Sequence, residues 1–269
     1  MNKLYSNPYF WLTFCVFATW LQLQSCSKKI GCVDQKALNY DPEAEVANSS
    51  CIYPNLNLEF KLNAASENFE INRIYNVSGL NLAFKSFQFY VSGIKVHRAD
   101  MLWEDYLPLT KLIRSDSITF PLGATYTGKI DSFEFNVGLD SIQNSNINFQ
   151  LYDTEHPLQI QNDTMHFNLN DGYIFLKLVG NVDRNGDGFP NENESFDYRI
   201  GTNDLLRQLS FTTDQVLDQT NNSLRVALDV LALLENIDLL NIEKIDHQTQ
   251  TAAAETIADN LFTSMSLIP

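Results

Sequence analysis

Positive charge is scarce in this chain. Its 269 residues hold 18 Lys and Arg against 33 Asp and Glu, a formal net charge of −15. All the acids and all but one of the bases lie beyond position 26, so the acidity belongs to the chain after its leader. A surface of that sign repels phosphate backbones, which excludes nucleic acid as a partner and leaves cations, or simple solubility, as its use. Cysteine is scarce too: Cys15, Cys26, Cys32 and Cys51, and none after that. A body that folds without cysteine behind one small N-terminal pair suits an exported protein in an oxidising compartment. Also missing are a Gly-x-Ser-x-Gly elbow, a phosphate-binding Walker loop, a His-Glu-x-x-His helix and a catalytic-type cysteine. Carboxylates are abundant, but nothing selects two of them as a glycosidase dyad. The expectation is a binding protein and not an enzyme.

One long apolar run is present, and it stands at the start. Lys3 supplies a short positive region, and the stretch from Tyr9 to Leu23 is too short and too aromatic for a good membrane span. It ends in Leu23-Gln24-Ser25-Cys26, which resembles a bacterial lipobox, although Gln24 is less usual there. That motif needs an apolar residue three before the cysteine, a small residue just before it, and a thiol to carry the lipid. Residues 1–25 are therefore expected to be a lipoprotein signal peptide, with Cys26 lipidated and the chain anchored to a membrane through that lipid. An ordinary secretory leader with a chance cysteine is the alternative. Ser27 in place of an inner-membrane retention aspartate points to the outer membrane of the cell envelope.

Residues 26–54 read as a tether and a small module. Gly31-Cys32-Val33-Asp34, Ala37-Leu38-Asn39-Tyr40-Asp41-Pro42 and Ser50-Cys51-Ile52-Tyr53 are too few to build a core, so a Cys32–Cys51 bridge is the expected substitute. The segment resembles a short Cys-stapled repeat common in exported Bacteroidetes proteins. Asp34, Asn39 and Asp41 offer oxygens suited to calcium, but Asn-Tyr-Asp-Pro is also ordinary turn chemistry.

Residues 55–269 form the main domain. Leu56, Leu58, Phe60 and Leu62 alternate with polar residues. Ser86 to Val96, Lys129 to Leu139 and Gly172 to Gly180 are aromatic and β-branched runs, separated by Asn, Asp, Gly and Ser. Such runs predict a mainly β protein, an antiparallel β-sandwich. The end of the chain changes period: Ala254, Ile257, Ala258, Leu261 and Met265 recur at helical spacing over 251–265, so a C-terminal helix and short helical segments join the sandwich.

The strongest metal signal is Asp183-Arg184-Asn185-Gly186-Asp187-Gly188-Phe189-Pro190-Asn191-Glu192-Asn193-Glu194. It fits D-x-[DN]-x-[DN]-G-x5-E at every fixed place. Asp183, Asn185 and Asp187 put oxygens on one side of a tight loop, Gly188 permits the sharp turn, and Phe189 offers its carbonyl. Asn191 contributes directly or through water, and Glu194 closes the shell with two oxygens. The flanks are strands, so this would be a structural calcium loop at a hairpin tip, not a helix-pair sensor. Asn-Gly and Asp-Gly also make good hairpin turns without metal.

Phe135-Asn136-Val137-Gly138-Leu139-Asp140-Ser141, His156-Pro157, Met165 to Lys177, Gly180, and Phe196 to Gly201 follow one another in an order that resembles the MbnP-like family of copper-associated β-sandwich proteins. The resemblance covers nearly all of the main domain. It implies a copper(I) site built from histidines and an oxidised tryptophan. Where the family pattern has Met-Phe-Trp-x-Trp, this chain has Met165, His166, Phe167, Asn168 and Leu169. Trp103 is the one tryptophan after the leader, and it lies in a different segment. Arg199 stands at a family histidine position and cannot ligate. The remaining copper candidates are His97, His156, Met165, His166 and His247, of which His156 matches the family His-Pro. Adjacent strand residues such as Met165 and His166 point to opposite faces. Four ordinary histidines are the plainer reading. The expected function is therefore a membrane-anchored metal-binding lipoprotein with calcium, and copper through histidines. The alternative is a non-catalytic envelope interaction module that has lost copper.

Overall fold

The structure is a computed structural model. It describes residues 28–99, 104–105, 109–115, 118–145, 152–159, 165–168 and 171–268. The leader, Cys26, Trp103 and Leu169 lie outside the described residues. Among the described residues, no helix is long and apolar enough to cross a membrane.

The chain divides into two compact units, residues 1–52 and 53–269. In the first, Cys32 and Cys51 are joined by a disulfide with their Cα atoms 4.9 Å apart. Two-residue strands, Ile30–Gly31 and Val46–Ala47, pair in parallel beside it. Among its described residues, the buried apolar ones are Cys32 and Ala37. With so little to bury, the covalent link takes the place of a core, as expected for so short a unit.

The second unit is the predicted sandwich. Its main strands are β1 (Asn55–Ala64), β2 (Ile74–Val77), β3 (Leu80–His97), β4 (Lys111–Arg114), β5 (Thr119–Ala124), β6 (Ser132–Val137), β7 (His166–Asn168), β8 (Gly172–Tyr173), β9 (Leu176–Val182), β10 (Ser195–Ile200), β11 (Arg207–Thr212), β12 (Asn221–Asp229) and β13 (Met265–Ile268). In β1 the period-2 pattern does what it promises: Leu56, Leu58, Phe60 and Leu62 are buried and the residues between them are not. β1 joins β5, β12 and β13 in the smaller sheet. Its pairing with β12 is parallel, in register from Asn55↔Asn221 to Asn63↔Asp229. The other long pairings of both sheets are antiparallel.

The larger sheet is organised by β3, which is long enough to serve two partners on one edge. β9 pairs with it over Leu82–Phe89 and β6 over Val91–His97. β4 takes the opposite edge, pairing Gln88–Val91. Phe60 from the smaller sheet meets Phe89 and Phe135 from the larger one edge-on, with ring centroids 5.3 and 5.5 Å apart. Such contacts, repeated through Phe84, Phe87, Phe133 and Phe196, make the main core.

The larger sheet also buries part of its other face. Tyr90, Phe175, Leu139, Leu158, Met165, Tyr173 and Ile174 form a second, smaller cluster there. The C-terminal helix, Thr251–Ser264, buries Ala254, Ile257, Ala258 and Leu261 as its spacing predicts. Asn260 Nδ2 ties it to the carbonyls of Leu233 and Glu235, at 3.0 and 2.9 Å.

Candidate metal sites

The acidic loop is the tip of the β9–β10 hairpin. β9 ends at Val182, whose N–H reaches the Glu194 carbonyl, and β10 begins at Ser195. Glycines at positive φ, Gly186 at 75° and Gly188 at 95°, allow the chain to fold back between them. The loop then turns its N–H groups onto its own carboxylates. Asp183 Oδ1 accepts from Gly186 N and Asp187 N at 2.9 and 3.1 Å, and Oδ2 accepts from Gly188 N at 2.8 Å. Glu194 Oε1 accepts from Arg184 N and Asn185 N at 2.9 and 2.8 Å.

The side chains form a chain of contacts. Asn185 Nδ2 and Asn191 Nδ2 both donate to Asp187 Oδ2, at 3.2 and 3.1 Å, and Asn191 Nδ2 lies 3.3 Å from Glu194 Oε2. The Phe189 N–H reaching Asp187 holds that carboxyl below the usual carboxylate range, with help from the two amides. Desolvation pulls Glu194 upward, but the N–H groups of Asn185, Asn191 and Arg184 outweigh it and leave the carboxyl low. Both groups stay ionised at neutral pH. Asp183, Asn185, Asp187, Asn191 and Glu194 are therefore gathered at one hairpin tip, with the backbone of Phe189 beside them. Among the described residues no three His, Cys, Asp or Glu side chains converge as a ready metal cluster. Here the Asn191 amide bridges the Asp187 and Glu194 carboxylates while the Asn185 amide bonds Asp187, and turning each amide over would present oxygen in place of nitrogen.

The loop is braced from outside. Asn81 Nδ2 donates to the Gly188 carbonyl at 3.0 Å. Arg184 donates to the carbonyls of Leu239, Ser195 and Ile242. No sequence signal marks the braces from Asn81, Leu239 and Ile242, because these lie far along the chain.

The five copper candidates are not brought together. His97 ends β3, seven residues beyond Tyr90, which is roughly 20 Å of strand. Met165 is 1% exposed within the second cluster, and His166 is 7% exposed. The His166 ring meets Tyr173 edge-on at 4.2 Å. Phe167, the next residue, packs on His247 at 4.5 Å. The His247 Nε2 lies 3.1 Å from Asp171 Oδ2.

His156 is stacked on Tyr152 at 4.1 Å, and its Nδ1 accepts the Leu158 N–H at 3.1 Å. That bond fixes the proton on Nε2 and occupies the one free lone pair. Burial holds both His156 and His166 below the ordinary imidazole range, so both are neutral at pH 7. Three tyrosines that the sequence does not single out surround this region. Two of them, Tyr90 and Tyr173, donate to the carbonyls of Pro157 and Leu158, each at 2.9 Å, and burial pushes both phenols well up. Arg199 grips Asp197 with two donors, Nε at 2.9 Å and a terminal nitrogen at 2.7 Å. Among the described residues, then, these histidines do not join any group of three His, Cys, Asp or Glu side chains around one point.

In the N-terminal module the oxygens suited to calcium are taken by turns. Asp34 Oδ1 accepts from Lys36 N, Asn39 Oδ1 from Ile52 N, and Asp41 Oδ1 from Glu43 N.

Sandwich, hairpin loop and second cluster together define a mainly β domain of two packed sheets. The sequence profile of the MbnP family matches residues 53–253, and the chain belongs to that family. Its fold is similar to that of MbnP from Methylosinus trichosporium, with a TM-score of 0.51 and 16% identity, covering 71% of this chain and 79% of that one. No curated protein matches.

Proposed function

We propose that this chain is a non-catalytic lipoprotein of the cell envelope, most naturally of the outer membrane. It is held by lipid on Cys26 and carries an MbnP domain whose hairpin tip binds calcium. The observation that carries the metal reading is the gathering of Asp183, Asn185, Asp187, Asn191 and Glu194 around one turn, where the Asn191 amide bridges the Asp187 and Glu194 carboxylates. Calcium would replace the amide bridges with metal–oxygen bonds and order the hairpin. Its role there is structural, because strands flank the loop and no helix pair can open.

The test is a thermal melt of the full-length protein with calcium and with chelator. Calcium should raise the Tm, and Asp183→Ala should remove that response. An equal Tm in both conditions for the unaltered protein overturns the assignment.

Copper is the metal the family suggests. Loss of the family tryptophans, Arg199 at a histidine position and the occupied Nδ1 of His156 favour a domain that has left copper behind, as an interaction module of the envelope. Anaerobic copper(I) titration should show no stoichiometric site. A site abolished by His166→Ala would restore the copper reading.

A further inference from the structure

Exposed apolar side chains are unevenly spread over this protein. Among the described residues twelve large ones are exposed, and five of them, Ile30, Val33, Tyr40, Val46 and Ile52, fall within residues 28–52. Single exposed apolar residues are normal on a soluble surface, but a cluster on so small a module is not. Ile30 and Ile52 are the most open of the five, at 61% and 51% exposed.

Four of the five gather around one face. Ile30 stands directly opposite Val46 in the parallel pair, so their side chains leave the same side. Cys32, two residues on from Ile30, is bridged to Tyr40 and shares that side. Ile52 follows the disulfide partner of Cys32, and its N–H is held by Asn39 Oδ1 at 2.7 Å, next to Tyr40. Charge around this face is low as well. Residues 28–52 hold three lysines against four acids, in a chain with 18 bases and 33 acids. Lys29 engages two of those acids, reaching Asp41 and Glu43 at 2.8 Å each, one residue from Ile30.

We infer that this face, formed by Ile30, Tyr40, Val46 and Ile52, lies in the interfacial layer of the membrane to which the chain is anchored. The inference rests on the proposed lipid at Cys26. Ile30 is four residues beyond Cys26, a reach of at most about 14 Å. The headgroup layer is roughly 5–7 Å deep on each side of the bilayer. Acyl chains on Cys26 therefore hold Ile30 within or just above that layer, where apolar surface gains by leaving water. Tyr40 suits that depth, with an apolar ring and a polar hydroxyl. Partial burial of four side chains would not anchor the protein, since even one acyl chain binds only marginally. The face instead sets how the lipid-held module lies.

Mature full-length protein in phosphatidylcholine vesicles tests this, with Tyr40→Trp as the reporter and Val46→Trp as a second should the first not fold. Emission is read as the difference from the unaltered protein, whose chain after the leader has Trp103 alone. Phosphatidylcholine brominated high on its acyl chains quenches an indole that touches it. Compared with ordinary vesicles, the reporter should lose most of its emission there. Phe262→Trp, at an exposed position on the C-terminal helix, should lose little. Ile30→Asp in the reporter protein should restore the emission. A mass spectrum of the N-terminal peptide from the same sample shows whether Cys26 carries acyl chains. An acylated protein whose reporter is unquenched overturns the inference and leaves the lipid anchor standing. That holds equally for a reporter shielded from water yet unquenched, whose face is packed against protein. Equal quenching of Phe262→Trp overturns it too, since contact with the bilayer is then not particular to this face. An unacylated Cys26 overturns the anchoring reading, and the inference with it.

Discussion

Gly180 shows how tightly single residues are fixed in the sandwich. It lies where β9 crosses the bulge in its pairing with β3. A Cβ there would collide with the Ala83 carbonyl and come within 2.8 Å of the Phe196 ring. Neither neighbour is free to yield: Ala83 is backbone in the centre of a sheet, and the Phe196 ring packs against Phe84 at 5.7 Å. Gly180→Ala should therefore cost about 3 kcal/mol, at the upper end for overpacking. In a domain of this size that is a fall in Tm of roughly 6–12 °C, readable by calorimetry or circular dichroism. A fall of less than a degree would mean that the strands separate more readily than this packing implies. The glycine is visible in Gly172 to Gly180, where it ends an apolar run, but its reason is not. Ala83 and Phe196 approach it from strands that local periodicity cannot place. His156 teaches the same at the level of a proton. Its His-Pro context suggests a ligand, while the Leu158 N–H that occupies Nδ1 depends on a turn that only the folded chain shows.

Elements are legible where their cause is local. The alternation in β1, the helical spacing of Ala254 to Leu261 and the glycine-studded turn at 183–194 are all written within a few residues, and each forms where the pattern places it. The parallel pairing of β1 with β12 is not legible, because it joins residues about as far apart in sequence as Asn57 and Asn222. Nor is the division of one edge of β3 between β9 and β6. That depends on the strand's length, and the strand starts at Leu80, ahead of the aromatic run that opens at Ser86. The surroundings of Lys177 are hidden for a related reason: it sits inside an apolar run, and its registered neighbours Gln88 and Arg199 come from other strands. The disulfide module, by contrast, is a local device whose loss should have a local effect. Its bridge closes a loop with a sequence separation of 19, for which loop entropy gives about 3 kcal/mol. Cys51→Ser should make residues 28–52 rapidly cleavable by protease under conditions where the main transition of the sandwich does not move, since none of its core residues comes from the module. A parallel fall in the Tm of the sandwich would show that the two units share stability.

For the whole molecule the question is what holds an acidic sandwich in place. Net charge of −15 gives the chain no attraction to anionic headgroups, so electrostatics would keep it off a membrane surface. The described residues hold no membrane-spanning helix. On the proposed reading the attachment is covalent lipid at Cys26, where each buried methylene adds about 0.8 kcal/mol and several chains together anchor stably. Lys28, Lys29 and the stapled module then form a short tether before the MbnP domain. Cys26 lies outside the described residues, and the motif Leu23-Gln24-Ser25-Cys26 carries the assignment by its chemistry alone. Cys26→Ala removes the thiol to which lipid would be attached, while leaving the sandwich and its disulfide untouched. Fractionation of cells should then find the unaltered protein with membranes, extractable by detergent and not by high salt, and the variant in the soluble fraction or uncleaved with its leader. Salt extraction separates lipid anchoring from charge attachment, because exposed ionic contacts are screened within about 10 Å at 0.1 M. A variant that is cleaved normally and still sediments with membranes would place the anchor elsewhere in the molecule.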